Sequence, residues 1–283
     1  MRPRIAITLG DPRGIGPEVV AKVMRDPPEG ADYVVLGPEP PMADVSAEEA
    51  GRIVGESVEQ AVALALRGDV HAIVTAPAEK KALHLAGYRY PGHTEWLAHL
   101  AGDVPVAMML ASDRLRVVLV TTHLPLRDVS RTLTTDRVVS AGRVTTKALT
   151  AWWGIERPRL AVCALNPHVG EGGLFGDEDR TILEPAARQL GAAGPLSADT
   201  VFVRAMRGEF DAVLAPYHDV GMTAIKVASF GCGVNVTLGL PFVRTSPDHG
   251  TAFDIAGKGI ADPSSMREAV RLAVELATRT RGR

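Results

Sequence analysis

The most constraining feature of the sequence is a repeated alternation of short, continuously apolar runs with longer segments of helical periodicity. Helical patterns cover residues 46–67, which begin with Ser46 and Glu49 at capping-box spacing, and residues 136–152. Continuous apolarity is typical of strands that are buried on both faces. The pattern therefore predicts an α/β protein with a largely parallel sheet covered by helices. The apolar runs occupy residues 5–9, 33–36, 72–74, 106–110, 117–120, 160–165 and 212–215.

Composition and charge exclude several classes of function. The chain has 283 residues, of which 46% are apolar and 23% are charged, and this is typical of a globular protein with a large core. A formal net charge of -2 provides no basic surface for nucleic acid or an anionic membrane, and no apolar run approaches the ~18 residues of a membrane span. The two cysteines, Cys163 and Cys232, form no CxxC pair. We therefore expect a cytoplasmic protein without a disulfide framework or a thiolate zinc site.

Three histidines, His123, His168 and His218, each come directly after a predicted strand. The carboxyl ends of parallel strands meet at one edge of a sheet, where α/β proteins place their ligands, so these side chains can lie close together. Three neutral imidazoles can bind one divalent cation and leave positions open for substrate oxygens, which is the pattern of a catalytic site. One such histidine would be interpreted as a hydrogen-bonded loop residue, but three at equivalent strand ends predict a metal centre.

The glycine-rich segment 9–18, Leu-Gly-Asp-Pro-Arg-Gly-Ile-Gly-Pro-Glu, follows the first strand and opens a helix. Free backbone N–H groups at a helix start favour an anion. The segment is neither a GxGxxG motif nor a Walker A loop, so by itself it is equally compatible with a tight connection between strand and helix. His71, His84 and His99 do not follow strands and are interpreted as structural or solvated.

Residues 248–263, which begin Asp-His-Gly-Thr-Ala-Phe-Asp-Ile, closely resemble the adenosine-binding loop of the isopropylmalate and isocitrate dehydrogenases. Residues 10–18 resemble the N-terminal Gly-Asp-Gly-Ile-Gly-Pro-Glu of the same enzymes. The resemblance implies their two-lobed α/β fold, with the active site in the cleft between the lobes. It also implies that a loop around His249, Gly250, Thr251, Asp254 and Ile255 binds the cofactor. Asp254 falls where a carboxylate bonds the ribose hydroxyls and repels a 2′-phosphate, which favours NAD over NADP.

Motifs between these two ends resemble one narrower family, the 4-hydroxythreonine-4-phosphate dehydrogenases of vitamin B6 synthesis. The resemblance runs in order from Leu9 to Pro263. Its motifs are Pro-Gly-His-Thr-Glu at 91–95, Thr-His-Leu-Pro-Leu at 122–126, Asn-Pro-His-Val-Gly-Glu-Gly-Gly at 166–173, Gly-Pro-Leu-Ser-Ala-Asp-Thr at 194–200, Tyr-His-Asp at 217–219, and Asn-Val-Thr-Leu-Gly-Leu-Pro-Phe-Val-Arg-Thr-Ser at 235–246.

The family resemblance implies a role for each matching residue. It makes His123, His168 and His218 the ligands of a divalent metal such as zinc, cobalt or magnesium, in agreement with the strand-end argument. Lys226 and Arg244 would supply positive charge for a substrate phosphate. Asp199 and Asp219 would orient the histidines or relay protons, and His93, Asp219 and Lys226 are the candidates for acid–base catalysis. The implied substrate contacts are His93, Thr94, Lys226, Asn235 and Arg244.

The same resemblance implies a reaction. A hydroxyl of 4-hydroxy-L-threonine 4-phosphate would be oxidised with NAD, and the resulting β-keto acid would lose carbon dioxide to give 3-amino-2-oxopropyl phosphate. Neither cysteine is needed as a nucleophile. By analogy, residues 1–105 with 238–283 form the cofactor-binding lobe, and residues 106–237 form the lobe for metal, substrate and dimerisation. The family's site lies at a dimer interface, so the resemblance also implies a homodimer.

Two departures from the family leave the substrate open. The chain reaches the helix near Ser46 soon after Gly37, where relatives carry more residues, and residues 217–223 read Tyr-His-Asp-Val-Gly-Met-Thr where many members have Gln, Leu and Pro. An enzyme acting on threonate or erythronate 4-phosphate is the nearest alternative, and a dihydrodiol dehydrogenase is a more distant one. From other classes, a metal-dependent aldolase or hydrolase and a non-catalytic phosphosugar sensor remain open, although neither needs the segment 249–263.

Overall fold

The computed structural model describes residues 2–38, 45–229 and 233–281. Its contacts divide the chain into two compact units, Met1–Val104 with Val234–Arg283, and Pro105–Gly233. Each unit contains strands in mostly parallel array and covering helices, so the predicted α/β class is confirmed. None of the helices in the described part of the chain combines the length and the apolar character that a membrane crossing requires.

The first unit contains five strands in the order β2-β1-β3-β10-β9, all parallel except for the antiparallel β9–β10 pair. Its core includes Ile5, Ile7, Ile73, Trp96 and Leu97, each at most 1% exposed. Its elements are β1 (Arg4–Thr8), α1 (Gly16–Met24), β2 (Asp32–Leu36), α2 (Ala47–Leu66), β3 (Ala72–Thr75), α3 (Lys80–Leu85), α4 (His93–Leu100), β9 (Val234–Leu238), β10 (Val243–Pro247) and α10 (Ser264–Arg281).

The second unit contains five strands in the order β4-β5-β8-β6-β7, with only β4 and β5 antiparallel to each other. Besides a short 3-10 turn (Pro167–Gly173) and a π turn (Asp179–Leu183), its elements are β4 (Ala107–Ala111), β5 (Arg116–Leu119), α5 (Leu126–Thr132), α6 (Thr135–Trp153), β6 (Leu160–Cys163), α7 (Glu184–Leu190), β7 (Ala193–Leu196), α8 (Ala198–Met206), β8 (Ala212–Ala215) and α9 (His218–Ser229). Strands β6 and β8 are buried along their whole length, as continuous apolarity predicts.

Local signals account for where several helices begin and end. The Ser46 hydroxyl accepts the Glu49 amide at the start of α2, as the predicted cap requires. Thr134 caps α6 in the same way, and Gly154 ends that helix in the left-handed conformation. Residues 39–44, within the stretch after Gly37 that the sequence analysis expects to be short for the family, lie outside the described residues.

The sequence analysis placed the second lobe boundary at about residue 238, and the compact units divide between residues 233 and 234. Strand β9 belongs to the first unit because it pairs with β10, with Asn235 opposite Ser246. The apolar-run analysis also missed β7, β9 and β10. These strands contain Gly, Pro, Asn, Thr, Arg and Ser, and their segments lack the continuous apolar character on which the prediction depended.

The turn after β1 requires glycine at position 10. Gly10 has φ +72°, and a Cβ there would lie 2.3 Å from the carbonyl oxygen of Pro77. We expect Gly10→Ala to lower the free energy of unfolding by about 2–5 kcal/mol, since left-handed backbone contributes roughly 1–2 kcal/mol and overpacking roughly 1–3 kcal/mol. Gly68→Ala is the matched control, because Gly68 has φ +78° but no atom within 4 Å of its Cβ position. Urea unfolding of both variants measures the difference, and equal losses would contradict the packing argument.

Candidate active site

Strand β10 of the first unit carries a buried arginine that lies among neutral polar side chains. Arg244 on β10 is 3% exposed, and its guanidinium donates to Thr237 Oγ1 at 3.0 Å and to Thr75 Oγ1 at 2.5 Å. Strand register accounts for this arrangement. Arg244 lies opposite Thr237 on β9 and opposite Ile73 on β3, which places Thr75 two residues farther along the same face. The guanidinium bonds to hydroxyls, and no carboxylate pairs with it in the described ranges.

Burial lowers the pKa of Arg244 to about 10, and the guanidinium therefore stays charged at neutral pH. A buried charge without a partner of opposite sign is costly, and such groups are normally paired. The arrangement therefore favours an anionic ligand at this position.

Several buried polar atoms around Arg244 have no hydrogen-bond partner among the residues that the structure describes. Thr8 lies opposite Thr75, and Asn235 lies two residues from Thr237 on the same strand face. Buried polar atoms are almost always bonded, so a cluster of exceptions in one place indicates the position of a polar ligand. The atoms are Thr8 Oγ1, His93 Nε2, Asn235 Oδ1 and Arg244 Nε.

His93 is the first residue of α4, and Thr94 beside it is buried. Burial, together with the positive charge of Arg244, lowers the pKa of His93 to about 3. The imidazole is therefore neutral at physiological pH. It can donate or accept a hydrogen bond without adding charge to the site. Of the predicted substrate contacts, the first unit thus contains His93, Thr94, Asn235 and Arg244, while Lys226 lies in α9 of the second unit and is exposed.

In the second unit, the structure brings together two of the three predicted metal ligands. Strands β5 and β8 are adjacent and parallel, and the Thr121 hydroxyl donates to the Pro216 carbonyl at 2.7 Å beyond their ends. The rings of His123 and His218 consequently lie with centroids 5.5 Å apart. They line a cavity of about 90 Å³ together with Thr122, Leu124, Leu126, Val129, Tyr217 and Asp219.

The chemistry of this pair fits a divalent metal. His218 Nδ1 lies 2.7 Å from Asp219 Oδ1, and a carboxylate at that nitrogen orients the ring and leaves Nε2 for a ligand bond. The Asp219 carboxylate is therefore placed where it can orient the His218 ring. Asp199, in the first turn of α8, is exposed and makes no side-chain hydrogen bond within the described ranges.

His168 lies apart from this pair. It follows β6, the strand next to β8, but it is exposed in the turn that begins at Pro167. Within one chain, the described residues contain no group of three or more histidine, cysteine or acidic side chains that could hold a metal. Convergence of all three imidazoles in a single chain is therefore not observed, and His123 with His218 forms an incomplete ligand set.

The predicted cofactor loop is packed against the N-terminal glycine-rich turn. The Ile15 amide donates to the Thr251 carbonyl at 2.9 Å, and the Arg13 guanidinium lies 5.2 Å from the centroid of the Phe253 ring. The buried Asp11 carboxylate and Glu79 both pair with Arg13 at 2.7 Å. The glycine-rich turn before α1 therefore holds the loop through backbone and side-chain contacts, and its Ile15 amide is not available for an anion.

Farther along α1, Glu18 holds the other end of the loop. It accepts the amides of Gly259 and Ala261, and Lys22 donates to the carbonyls of the same two residues. Of the predicted cofactor residues, Asp254 and Gly250 are exposed and Ile255 is half-buried. His249 directs Nδ1 to the Gly250 carbonyl, while its Nε2 is buried without a partner.

Cys163 takes no part in these sites. Cys163 is fully buried in β6, and burial, aided by the charge of Asp179, raises the pKa of its thiol to about 12. Cys232 lies outside the described residues.

The sequence analysis missed Thr75 and Thr237, and the signal that would have found them is strand register opposite Arg244.

Comparison with known proteins identifies first the class and then the family. The structure resembles isocitrate dehydrogenase from Methylococcus capsulatus with a TM-score of 0.56 over 99% of this chain and 87% of that one, at 14% identity. The fold is therefore that of the isocitrate dehydrogenase class. A family model described as pyridoxal phosphate biosynthetic protein PdxA matches residues 21–273. The chain belongs to this PdxA family.

Individual relatives match almost the whole chain. A 4-hydroxythreonine-4-phosphate dehydrogenase from Geobacter metallireducens is 43% identical over 98% of this chain and 96% of the relative. A D-threonate 4-phosphate dehydrogenase from Salmonella typhimurium is 42% identical over 96% of this chain and 98% of the relative. The crystal structure of a 4-hydroxythreonine-4-phosphate dehydrogenase from Klebsiella pneumoniae has a TM-score of 0.88, 40% identity, and covers 97% of this chain and 99% of that one. Membership of a family of dehydrogenases makes this protein an oxidoreductase that uses a nicotinamide cofactor.

Proposed function

We propose that this protein is a cytoplasmic, NAD-dependent and metal-dependent dehydrogenase of 4-hydroxy-L-threonine 4-phosphate. Its product is a β-keto acid that loses carbon dioxide to give 3-amino-2-oxopropyl phosphate. The observation that supports this most directly is Arg244, a buried cation bonded to two hydroxyls and surrounded by buried polar atoms without partners. A phosphorylated substrate supplies the negative charge and the acceptor oxygens that these groups need.

The cofactor and metal assignments rest on separate features. The loop 248–262 is held firmly by α1 and exposes Asp254, whose carboxylate suits the ribose hydroxyls of NAD. His123 and His218 would hold the metal. When bound, the metal supplies Lewis acidity for the reacting oxygens, and the nicotinamide accepts the hydride.

A homodimer would complete the ligand set, with the exposed His168 supplied by a second copy of the chain. The segments that carry His123 and His168 expose large apolar side chains, with Leu126 70%, Leu174 74% and Phe175 47% exposed. Apolar side chains exposed in this way are typical of a surface that another protein covers. The active site would then lie where two copies meet.

The chain's own residues bind and orient the substrate and control its protons. Arg244 holds an anionic group of the substrate, while Asn235 and Thr8 bond its polar atoms. Neutral His93 can accept a hydrogen bond from a substrate hydroxyl because it is not already protonated at physiological pH, and it is the first acid–base candidate. Asp219 keeps the His218 ring in one orientation. Lys226 and Asp219 are further acid–base candidates.

A substrate panel tests the proposal. Purified protein with Co²⁺ or Zn²⁺ and NAD is incubated with 4-hydroxy-L-threonine 4-phosphate, D-threonate 4-phosphate and D-erythronate 4-phosphate, and reduced nicotinamide is followed by absorbance. We expect the highest kcat/KM with the aminated substrate and a reaction that stops when the metal is chelated. Absence of turnover with every phosphorylated acid would reject a dehydrogenase of this type.

The second candidate is the oxidation of D-threonate 4-phosphate. It is favoured by the Salmonella typhimurium relative, whose 42% identity nearly equals that of the Geobacter metallireducens enzyme. Its substrate carries a hydroxyl where the first carries an ammonium group. A higher kcat/KM for D-threonate 4-phosphate in the same panel would replace the first assignment with this one.

A further inference from the structure

The segment after β6 carries His168 and is anchored by a buried carboxylate. Asp179 is 1% exposed, and its two oxygens accept two successive backbone amides, Leu165 at 2.8 Å and Asn166 at 3.0 Å. Both amides come just before Pro167 and His168. A carboxylate with two backbone donors fixes the direction in which the chain leaves the strand, since each bond constrains a different peptide plane.

The backbone directly beyond this anchor is left-handed. His168, Val169 and Glu171 have φ values of 52°, 60° and 43°, and the intervening Gly170 and the following Gly172 are also positive, at 77° and 66°. Left-handed backbone is unfavourable for residues other than glycine, most of all for a β-branched side chain such as Val169. Conformations of this kind persist only where surrounding contacts impose them.

The surrounding contacts close the segment onto itself. The Phe175 amide donates to the Gly170 carbonyl at 3.1 Å, and Asn166 Nδ2 donates to Glu178 Oε2 at 2.9 Å. A Cβ on Gly170 would lie 2.7 Å from the Gly176 carbonyl oxygen, so the backbone at Gly170 is in close contact with the backbone at Gly176. Asp179 is the buried end of this closed segment.

We propose that Asp179 is a positioning residue for the metal centre: its carboxylate holds the two amides before His168 and so imposes the left-handed turn that presents this imidazole. The proposal rests on the proposed role of His168 as a metal ligand. Asp179 does not touch the metal in this scheme. It acts by limiting the orientations of His168, so that fewer conformations are lost when the ligand bond forms.

The test is a titration of the apo protein with Co²⁺, followed by the visible absorption of the bound metal, at a temperature well below unfolding. We expect Asp179→Asn to weaken Co²⁺ binding by about 10- to 100-fold, the range found when a group that orients a ligand is removed. The asparagine side chain keeps one oxygen that can accept a backbone N–H. Its NH₂ group faces the second backbone N–H and cannot accept it, so one of the two hydrogen bonds is lost. The matched control is Asp177→Asn, because Asp177 is exposed and its side chain, among the described residues, bonds Arg180 alone.

A second variant separates positioning from stability. Val169→Gly keeps every hydrogen bond of the segment and removes the left-handed strain, so we expect its thermal stability to equal or exceed that of the parent. We expect its Co²⁺ affinity to stay within about threefold of the parent, because glycine adopts the left-handed turn without strain and Asp179 still holds the two amides. Unchanged Co²⁺ affinity in Asp179→Asn, or a loss of affinity in Val169→Gly as large as in Asp179→Asn, would overturn the proposal.

His168→Ala distinguishes this inference from the proposed function. If the parent binds Co²⁺ and His168→Ala weakens binding while Asp179→Asn does not, only the role of Asp179 is wrong. If the parent shows no Co²⁺ spectrum, or His168→Ala leaves the spectrum and the affinity unchanged, the proposed metal site is wrong. The inference about Asp179 is then rejected as well, because it depends on that site.

Discussion

Replacing Arg244 with methionine is expected to lower kcat/KM for the phosphorylated substrate by about 30- to 4,000-fold. Removing one partner of a buried, hydrogen-bonded charge pair costs roughly 2–5 kcal/mol, and each 1.4 kcal/mol is tenfold. Methionine has a similar reach but carries no charge and no donors. The KM for NAD should be unchanged, because the cofactor loop is anchored by Arg13, Ile15 and Glu18 and makes no use of Arg244.

The same substitution should leave the ligand-free protein as stable as the parent, or more stable. Arg244 is a buried cation bonded to hydroxyls rather than to a carboxylate, and replacing such a charge with an apolar side chain is often neutral or stabilising. Steady-state kinetics and urea unfolding measure the two effects. Arg25→Met is the control, because Arg25 is an exposed residue at the end of α1. A kcat/KM within threefold of the parent would contradict the assignment of Arg244 to the substrate.

His93 should make the protein less stable in acid. Its pKa in the folded state, about 3, lies below the unfolded value of about 6.5, so the unfolded chain binds one more proton between these values. Stability that is fully present above pH 6.5 is therefore lost as the pH falls toward 3, at about 1.4 kcal/mol per pH unit and on the order of 5 kcal/mol in total. His93→Gln removes this dependence.

Urea unfolding at pH 7, 5.5 and 4.5 measures the effect as the difference between the parent and His93→Gln. The difference is needed because Glu18 and Asp211, whose pKa values are lowered by Lys22 and Arg159 respectively, also lose stabilising interactions in acid. His99→Gln is the matched control, since His99 lies on the same helix and is exposed. Parallel pH profiles for the parent and His93→Gln would show that His93 is not held neutral by burial.

The histidines illustrate how much of the site the sequence predicts. Their positions after β5, β6 and β8 follow from apolar runs alone, because a strand that is buried on both faces needs continuous apolar residues. The pairing of His123 with His218, and the separation of His168, depend on the order in which the strands pair and on the left-handed turn after Pro167. No local pattern specifies either of these.

The polar residues around Arg244 illustrate the opposite case, in which the apolar pattern of the sequence predicted nothing. Strands β9 and β10 contain Asn235, Thr237 and Arg244, which are polar and gave no apolar run. The resemblance to the family named Asn235 and Arg244 but not the threonines that hold the guanidinium. Thr75 and Thr237 join Arg244 only because β10 lies between β3 and β9, and Thr237 follows Thr75 by more than a hundred residues in the sequence.

The sequence by itself determined the α/β class, the strand ends that carry the histidines, and the family, because short-range apolar periodicity and ordered motifs are properties of neighbouring residues. The tertiary structure decided the electrostatics. Strand pairing gives Arg244 hydroxyl partners in place of a carboxylate, and burial lowers the pKa of His93. The fold also lets the Asp179 carboxylate accept the backbone amides just before Pro167 and His168. Desolvation and long-range register depend on the whole fold, so no stretch of residues encodes them locally.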